Sequence, residues 1–291
     1  MVYNGATVSS DSSFGFPAAL LDSCWRTRRQ AVEELANAGN RGTPILGEAL
    51  GDRCASVRLS VVEALKSHAN RRAVNALLAA LADRKPSVRR AAAEALSGRD
   101  TPRVVKALVG LLRDSIPKVR EAALGSLSIS ADKRAVTAIA NAFADPDEDV
   151  RLAAAMALSN MGQRALPGAT HVLHGTRSTS RAMDDPHRIW ARMTAILLLK
   201  GIADDEAVIE LIKTLQDDDA TVRRAAIIVL TDMECQQAIP GLIRACSDDD
   251  DSVRAAADAG LKALCGEDPA ADGPQDEPED EALPREASER S

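Results

Sequence analysis

The segment SVRRAAAEAL, residues 87–96, carries the pattern from which the fold follows. Its apolar residues fall at Val88, four residues later and eight residues later, a spacing that places them on one stripe of an α-helix. The segment recurs without gaps at residues 56–65, 118–127, 149–158, 221–230 and 252–261, with aligned valines at Val57, Val119, Val150, Val222 and Val253. Four of the five intervals between consecutive valines are 31 residues, so the chain is built from a repeated helical unit.

Two degenerate copies extend the repeat. ARMTAILLL starts at Ala191 and fills the gap between residues 150 and 222, whereas TRRQAVEEL starts at Thr27. A second amphipathic pattern precedes each copy, as in residues 101–114, where Pro102 lies at a helix start and Thr101 can cap it. We therefore predict an all-α fold, a right-handed α-solenoid of about seven to eight two-helix units.

Composition divides the chain into three parts. We predict an N-terminal flexible segment at 1–21, a solenoid at 22–266 with a ten-residue insertion around 175–188, and a disordered acidic tail at 267–291. The tail holds 10 acidic residues against 2 arginines, and its proline and low hydrophobicity are typical of disorder. Residues 1–140 carry 21 basic against 13 acidic residues, and residues 141–266 carry 13 against 20, so we expect a charge gradient along the solenoid.

Two polar positions recur with the stripe. An arginine follows the valine position by one residue, and an aspartate precedes it by five residues, except that Pro186 replaces the aspartate before the copy at Ala191. We predict that these side chains form a ladder that bridges neighbouring units, although a row of anion sites is an alternative. The ladder comprises Asp22, Arg28, Asp52, Arg58, Asp83, Arg89, Asp114, Arg120, Asp145, Arg151, Arg192, Asp217, Arg223, Asp248 and Arg254.

This motif, an aspartate, four residues, Val-Arg and an alanine-rich stripe that ends in Ala-Leu, resembles the short HEAT repeats of the phycobilisome-lyase-like family over residues 22–265. The resemblance implies helper proteins that bind clients, among them bilin lyase subunits, chaperone-like factors and signalling adaptors. A related HEAT family hydroxylates a lysine derivative with two irons held by paired His-Glu motifs. No His-Glu pair occurs in this sequence, which argues against that activity.

The second helices of a solenoid line its concave face, where a partner can bind. Side chains two, five and six residues after the valine position lie opposite the buried stripe. In the early units they are mostly charged, as at Glu63, Arg90, Glu94 and Glu121, but in the middle units they are apolar. We predict a client-binding surface there, unless neighbouring units or the insertion cover it, formed by Leu152, Met156, Met193, Ile196, Leu197, Ile227 and Ile228.

The insertion has the glycine, serine, threonine and proline content of a long loop. Trp190, at its end, stands where other units have a small or polar residue. We consider it a candidate partner anchor, or alternatively a side chain that folds the loop back over Met193 and Leu197.

Chemistry-bearing motifs are weak in this sequence. His171 and His174 are three residues apart on a predicted helix and His187 lies in the insertion, yet no carboxylate motif supports a metal site there. No nucleophile elbow or phosphate loop occurs. The cysteines lack a CxxC pair, and we interpret them as small buried hydrophobes: Cys24, Cys54, Cys235, Cys246 and Cys265.

Charge and aromatic content bear on other partners. The basic N-terminal half raises nucleic acid as a partner, but several of its arginines belong to the ladder and aromatic residues make up only 2% of the chain. The acidic tail either keeps the protein soluble or folds back on the basic end until a partner displaces it. No apolar signal segment or membrane span is evident, so we expect a cytoplasmic protein.

The sequence favours a non-catalytic scaffold or adaptor that binds one or more proteins on the concave face and uses no cofactor. Two alternatives remain, an accessory lyase-like or chaperone-like subunit for cofactor attachment and an adaptor in signal transduction or taxis. Few aromatic residues are present to stack a tetrapyrrole, which weighs against the first. Nucleic acid and small molecules are weaker candidates as partners.

Overall fold

The computed structural model describes residues 17–175 and 185–266, and within them every regular element is a helix. The aligned segments form the second helices of the units: α1 (Trp25–Asn37), α3 (Ala55–Lys66), α5 (Pro86–Ala95), α7 (Pro117–Leu127), α9 (Glu148–Met161), α11 (Asp185–Ile202), α13 (Ala220–Asp232) and α15 (Asp251–Cys265). The first helices are α2 (Thr43–Ala49), α4 (Arg71–Ala80), α6 (Pro102–Leu111), α8 (Lys133–Asn141), α10 (Leu166–Gly175), α12 (Asp205–Thr214) and α14 (Ile239–Ala245). The described chain therefore contains seven helix pairs that follow a lone second helix, α1.

Helix starts follow the local chemistry of the repeat. Side-chain oxygens cap the first-turn amides of seven helices, and α5, α6 and α7 carry a proline in their first turn, where its missing amide donor is not needed. Thr101, for example, accepts a hydrogen bond from the Val104 amide at 3.3 Å. The capping residues are Asn70, Thr101, Asp132, Asp147, Asp204, Asp219 and Asp250.

The core runs along the whole array between two layers of helices. From α3 to α13, each second helix packs against its own first helix and against the second helices before and after it, whereas α1 and α15 each have one second-helix neighbour. The aligned valines are fully buried, as are the residues four positions later in all six of these units. The α-solenoid expected from the periodicity is thus confirmed.

Three expectations fail in detail. Ala18–Leu21, assigned to a flexible segment, form a short 3-10 helix, and Leu20 is buried against α1. The insertion is not wholly a loop, because α11 begins at Asp185, one helical turn earlier than the other second helices begin in their units. None of the five cysteines is fully buried, and Cys24 and Cys265 are exposed. The cysteine at 24 occupies the cap position of α1, which explains its exposure.

The remaining segments of the prediction, residues 1–16, 176–184 and 267–291, lie outside the described residues. No helix in the described part of the chain is both long and apolar enough to span a bilayer.

Candidate partner-binding surface

The arginine of each unit reaches forward to the aspartate of the next unit. In the rung between α3 and α5, Arg58 donates from Nε and Nη2 to Asp83 at 2.6 and 2.8 Å. Its Nη1 donates to the backbone oxygen of Asp52 at 2.8 Å, which fixes the plane of the guanidinium. The same two-nitrogen geometry joins Arg28 to Asp52, Arg89 to Asp114, Arg120 to Asp145 and Arg223 to Asp248.

These rungs are buried and charged on both sides. The hydrogen bond from Arg89 lowers the pKa of Asp114, and the bond from Arg223 lowers the pKa of Asp248. Burial works in the opposite direction but is outweighed by the arginine and backbone hydrogen bonds at Asp52 and Asp83, whose pKa values are also lowered. Because these four aspartates stay ionised at neutral pH, their rungs join neighbouring units with charge-assisted bonds.

The irregular unit interrupts this ladder. Arg151 stands at the arginine position of α9, only 8% exposed, and Pro186 occupies the place of the aspartate ahead of it. Arg151 donates from Nη1 to the backbone oxygens of Asp145 and Pro146 at 3.0 and 3.2 Å. Among the side chains that the structure describes, no carboxylate accepts from its Nε or Nη2. Arg192, one unit later, donates through Nη1 to both Asp217 and Asp218. It does not use the fork of the intact rungs, in which Nε and Nη2 donate to the two oxygens of one aspartate.

Five of the predicted surface residues are exposed, and we call them the apolar patch. They lie two or six residues after the valine position on the adjacent helices α9, α11 and α13. Their exposed fractions are 52% for Leu152, 60% for Met156, 37% for Met193, 61% for Leu197 and 55% for Ile228. The other large apolar side chains found exposed lie on first helices or in turns, at Leu21, Ile116, Ile129, Ile209 and Ile243.

The expectation that Ile196 and Ile227 also face a partner is wrong. Both are 1% exposed and belong to the core. They lie five residues after the valine position, about 140° around the helix from it, on the flank that packs against a neighbouring second helix. Positions two and six residues after the valine, at about 200° and 240°, are the ones that remain outside.

Trp190 is half-buried between α9 and the turn before it. Its ring centroid lies 5.9 Å from that of Phe143, and the Arg151 guanidinium lies 5.9 Å from the ring centre. The ring of Trp190 therefore lies against the turn before α9 and beside the arginine of the interrupted rung.

The candidate histidines have separate partners. His171 Nε2 lies 3.1 Å from the Asn141 amide oxygen, and His174 Nε2 lies 2.8 Å from a Glu210 carboxylate oxygen. His187 is half-buried in the first turns of α11 and has an interaction of its own.

One polar cluster on the second-helix side was not predicted. The carboxylates of Glu121, Asp147 and Asp149 have oxygens within 4.8 Å of one another, and the Lys118 ammonium bonds Glu121 and Asp149. In the sequence these residues are ordinary surface positions in two different units. Only the stacking of α7 against α9 brings them together.

The family model of HEAT repeats matches the chain at residues 16–85, 43–128, 74–159, 111–183 and 176–262, which together cover nearly the whole array. A comparison with curated proteins gives no match.

Three solved structures are similar to this chain at low sequence identity. Kap121p bound to Nup53p is 15% identical, with a TM-score of 0.60 over 85% of this chain and 32% of that one, so the chain spans about a third of Kap121p. The CpcE and CpcF complex of phycocyanin lyase from Nostoc sp. PCC7120 is 23% identical over 75% and 86% of the two chains, with a TM-score of 0.40. Human deoxyhypusine hydroxylase is 21% identical over 85% and 93%, with a TM-score of 0.36. The likeness to Kap121p supports the solenoid fold alone.

Proposed function

The chain belongs to the HEAT-repeat family, and we propose that it is a non-catalytic scaffold or adaptor that binds a protein partner on the second-helix face of its middle units. The observation that carries this proposal is the apolar patch on α9, α11 and α13. Large apolar side chains gathered on one face of three adjacent helices are typical of a protein interaction site.

The composition of the patch suits a protein partner. Two of its five members are methionines, whose flexible thioethers adapt to the shape of a bound surface. Its margin is polar, with the exposed Arg224 on α13 and an ion pair between Lys200 and Asp232. An apolar centre inside a polar margin is the usual arrangement of a specific protein interface.

The magnitude of the patch sets the strength of binding that it can support. Fully burying a Leu, Ile or Met side chain contributes about 1.5–3 kcal/mol. Because these side chains are already about half-buried, we expect about 1 kcal/mol from each and about 5 kcal/mol in total. Association costs at least about 4 kcal/mol in lost translational and rotational freedom, so polar contacts at the margin have to supply much of the net affinity.

The intact rungs on either side of the apolar patch favour binding by holding the flanking units in one arrangement. Arg120 and Asp145 join α7 to the turn before α9, and Arg223 and Asp248 join α13 to the turn before α15. A surface that is already ordered before binding loses less conformational entropy when the partner arrives.

The experiment compares two variants of the full chain as bait in lysate of the source organism. Leu197→Asp plus Ile228→Asp places charge in the patch, and Glu63→Lys plus Glu94→Lys changes the same position of two early units. Circular dichroism first establishes that both variants are folded. We expect a protein retained by the wild type and by the control, and lost from the patch variant.

The retained protein is then purified and its affinity for the three baits measured. Equal affinity for all of them would refute the proposal. Visible absorbance of the purified chain would point to a bilin-related role instead, and an affinity that falls steeply with salt would point to nucleic acid.

A further inference from the structure

The interrupted rung leaves an arginine side chain with unused hydrogen-bonding capacity. Arg151 is 8% exposed, comparable with Arg120 of the preceding unit at 8% and Arg58 at 3%. In five rungs, Nε and Nη2 of the arginine donate to the two oxygens of an aspartate at 2.6–2.9 Å. In Arg151 the same two nitrogens meet no carboxylate among the described side chains.

The guanidinium of Arg151 is nevertheless held as in the intact rungs. Its Nη1 donates to the Asp145 backbone oxygen at 3.0 Å, just as Nη1 of Arg120 donates to the Asp114 backbone oxygen at 2.8 Å. In Arg120 this contact accompanies an Nε and an Nη2 that face the aspartate of the next unit, and Arg151 makes the same contact at Nη1. The fork is therefore oriented for a bidentate acceptor before any acceptor arrives.

The group that fits this fork is a carboxylate. Five equivalent arginines bind one with both nitrogens, and the planar carboxylate matches the planar guanidinium. The Trp190 ring lies beside the guanidinium, 5.9 Å from its centre. An apolar ring next to a charge-assisted bond lowers the local dielectric constant and so strengthens the bond.

The site also adjoins the apolar patch. Leu152 follows Arg151 in the chain, and Met193 lies three residues after Trp190, which is one helical turn. A polypeptide that covers Leu152 and Met193 therefore contacts the same two helices, α9 and α11, that carry Arg151 and Trp190.

We propose that Arg151 and Trp190 form a binding site for an acidic side chain of the partner, whose carboxylate takes the place of the aspartate that Pro186 replaces. The inference rests on the proposed function, because it assigns the site to the same partner that covers the patch. It adds a specificity requirement, namely an aspartate or glutamate beside the apolar residues that bind the patch.

The site itself is tested with acetate as the probe. Side-chain Nε–Hε signals of the nitrogen-15-labelled full chain are recorded during titration with sodium acetate and with sodium chloride at equal ionic strength, and Arg151→Lys assigns the signal. We expect the Arg151 signal to move saturably with acetate and not with chloride, while the Arg120 signal stays in place. Pro186→Asp supplies the carboxylate within the chain. In this variant the Arg151 Nε–Hε chemical shift should equal that of the acetate-bound wild type before any acetate is added, and should not change during the titration.

Two results would refute the proposal that Arg151 binds a carboxylate from outside the chain. One is an Arg151 signal that does not respond to acetate, or responds equally to chloride. The other is a signal that moves only when Asp184→Asn and Asp185→Asn are introduced together, which would show that the chain's own carboxylates already fill the fork.

The role in partner binding is tested with the partner captured by the patch. Loss of two charge-assisted hydrogen bonds should weaken its affinity for Arg151→Gln by roughly 10- to 100-fold. Arg254→Gln, in the last unit of the array, is the matched control and should bind as the wild type does.

The two proposals fail in different ways. A partner that is lost from the patch variant but binds Arg151→Gln and wild type equally would refute this inference and leave the proposed function standing. An acetate response without any patch-dependent partner would refute the proposed function and leave the carboxylate site.

Discussion

Asp114→Asn should destabilise the solenoid by removing one intact rung. The Asp114 carboxylate accepts from Arg89 Nε at 2.6 Å, from Arg89 Nη2 at 2.8 Å and from the Ile116 amide at 3.0 Å. The two side chains are 7% and 14% exposed, so water replaces these bonds poorly. An asparagine offers a single neutral oxygen in place of two charged ones.

The magnitude follows from the burial of the pair. A hydrogen bond to a charged group contributes about 1.5–3 kcal/mol, and breaking a buried ion pair costs about 3–5 kcal/mol. Arg89 keeps its Nη1 bond to the Asp83 backbone oxygen and has slight access to water, so we expect a loss of about 3 kcal/mol. Asp22→Asn is the matched control, since the Asp22 carboxylate accepts a hydrogen bond from the Cys24 amide at 2.7 Å and, among the residues that the structure describes, receives no arginine fork from a preceding unit; it should cost less than about 1 kcal/mol.

Urea denaturation followed by circular dichroism measures both variants across a range of pH. The pKa of Asp114 is lowered in the folded chain, so its stabilisation is complete above the ordinary aspartate pKa of about 3.9 and is lost as the pH falls through the folded pKa. The difference between the wild type and Asp114→Asn should therefore be constant near neutral pH and shrink below about pH 4. A loss at neutral pH that equals the loss for Asp22→Asn, or that persists unchanged in acid, would refute the role of the rung.

Four further substitutions test the packing, each by its urea midpoint. Gly42→Ala would place a Cβ 2.3 Å from the Leu35 backbone oxygen and should lower the free energy of unfolding by about 2–3 kcal/mol. Gly110→Ala lies in open space on α6 and should raise the free energy of unfolding by about 0.5–1 kcal/mol. Equal urea midpoints for the two variants would contradict this reasoning. Asn70→Ala removes the cap of α4 and should cost about 1 kcal/mol, and no change would mean that water caps the helix equally well. Phe143→Ala empties a site that is 1% exposed and should cost about 3–5 kcal/mol, unless the neighbouring ring collapses into the space.

The periodicity predicted the solenoid because each unit repeats the same local physics. A valine every 31 residues sets the buried stripe, and the proline or capping residue before it sets where each helix begins. The pairing of Arg58 with Asp83 follows from the same repeat, since both side chains recur at fixed offsets from the stripe. The sequence could not predict the start of α11 at Asp185, because the irregular unit departs from the 31-residue spacing and its helix start cannot be read from the other units.

The surface was harder to predict than the fold. The angle around a helix separates buried from exposed positions only if the neighbours on both flanks are known. Ile196 and Leu197 are adjacent in sequence, yet the first is 1% exposed and the second 61%, because α11 is flanked by second helices on both sides. The contact of Trp190 with Phe143 depends on the path of the chain through the irregular unit, which periodicity does not specify.

An array of similar units offers a partner many similar positions, so recognition of one position depends on what distinguishes it. Several departures of this chain from its own repeat gather at one place, where Pro186 interrupts the ladder, Trp190 lies beside Arg151, and Met193 and Leu197 take positions that are charged in several early units. None of these changes strengthens the coupling between units, because Arg151 has no aspartate partner among the described side chains of the next unit. Residues that break a local rule without a gain in stability are where function is to be expected. It follows that restoring the repeat at this unit should both stabilise the solenoid and weaken partner binding. A substitution that restores the repeat in a terminal unit should change stability alone.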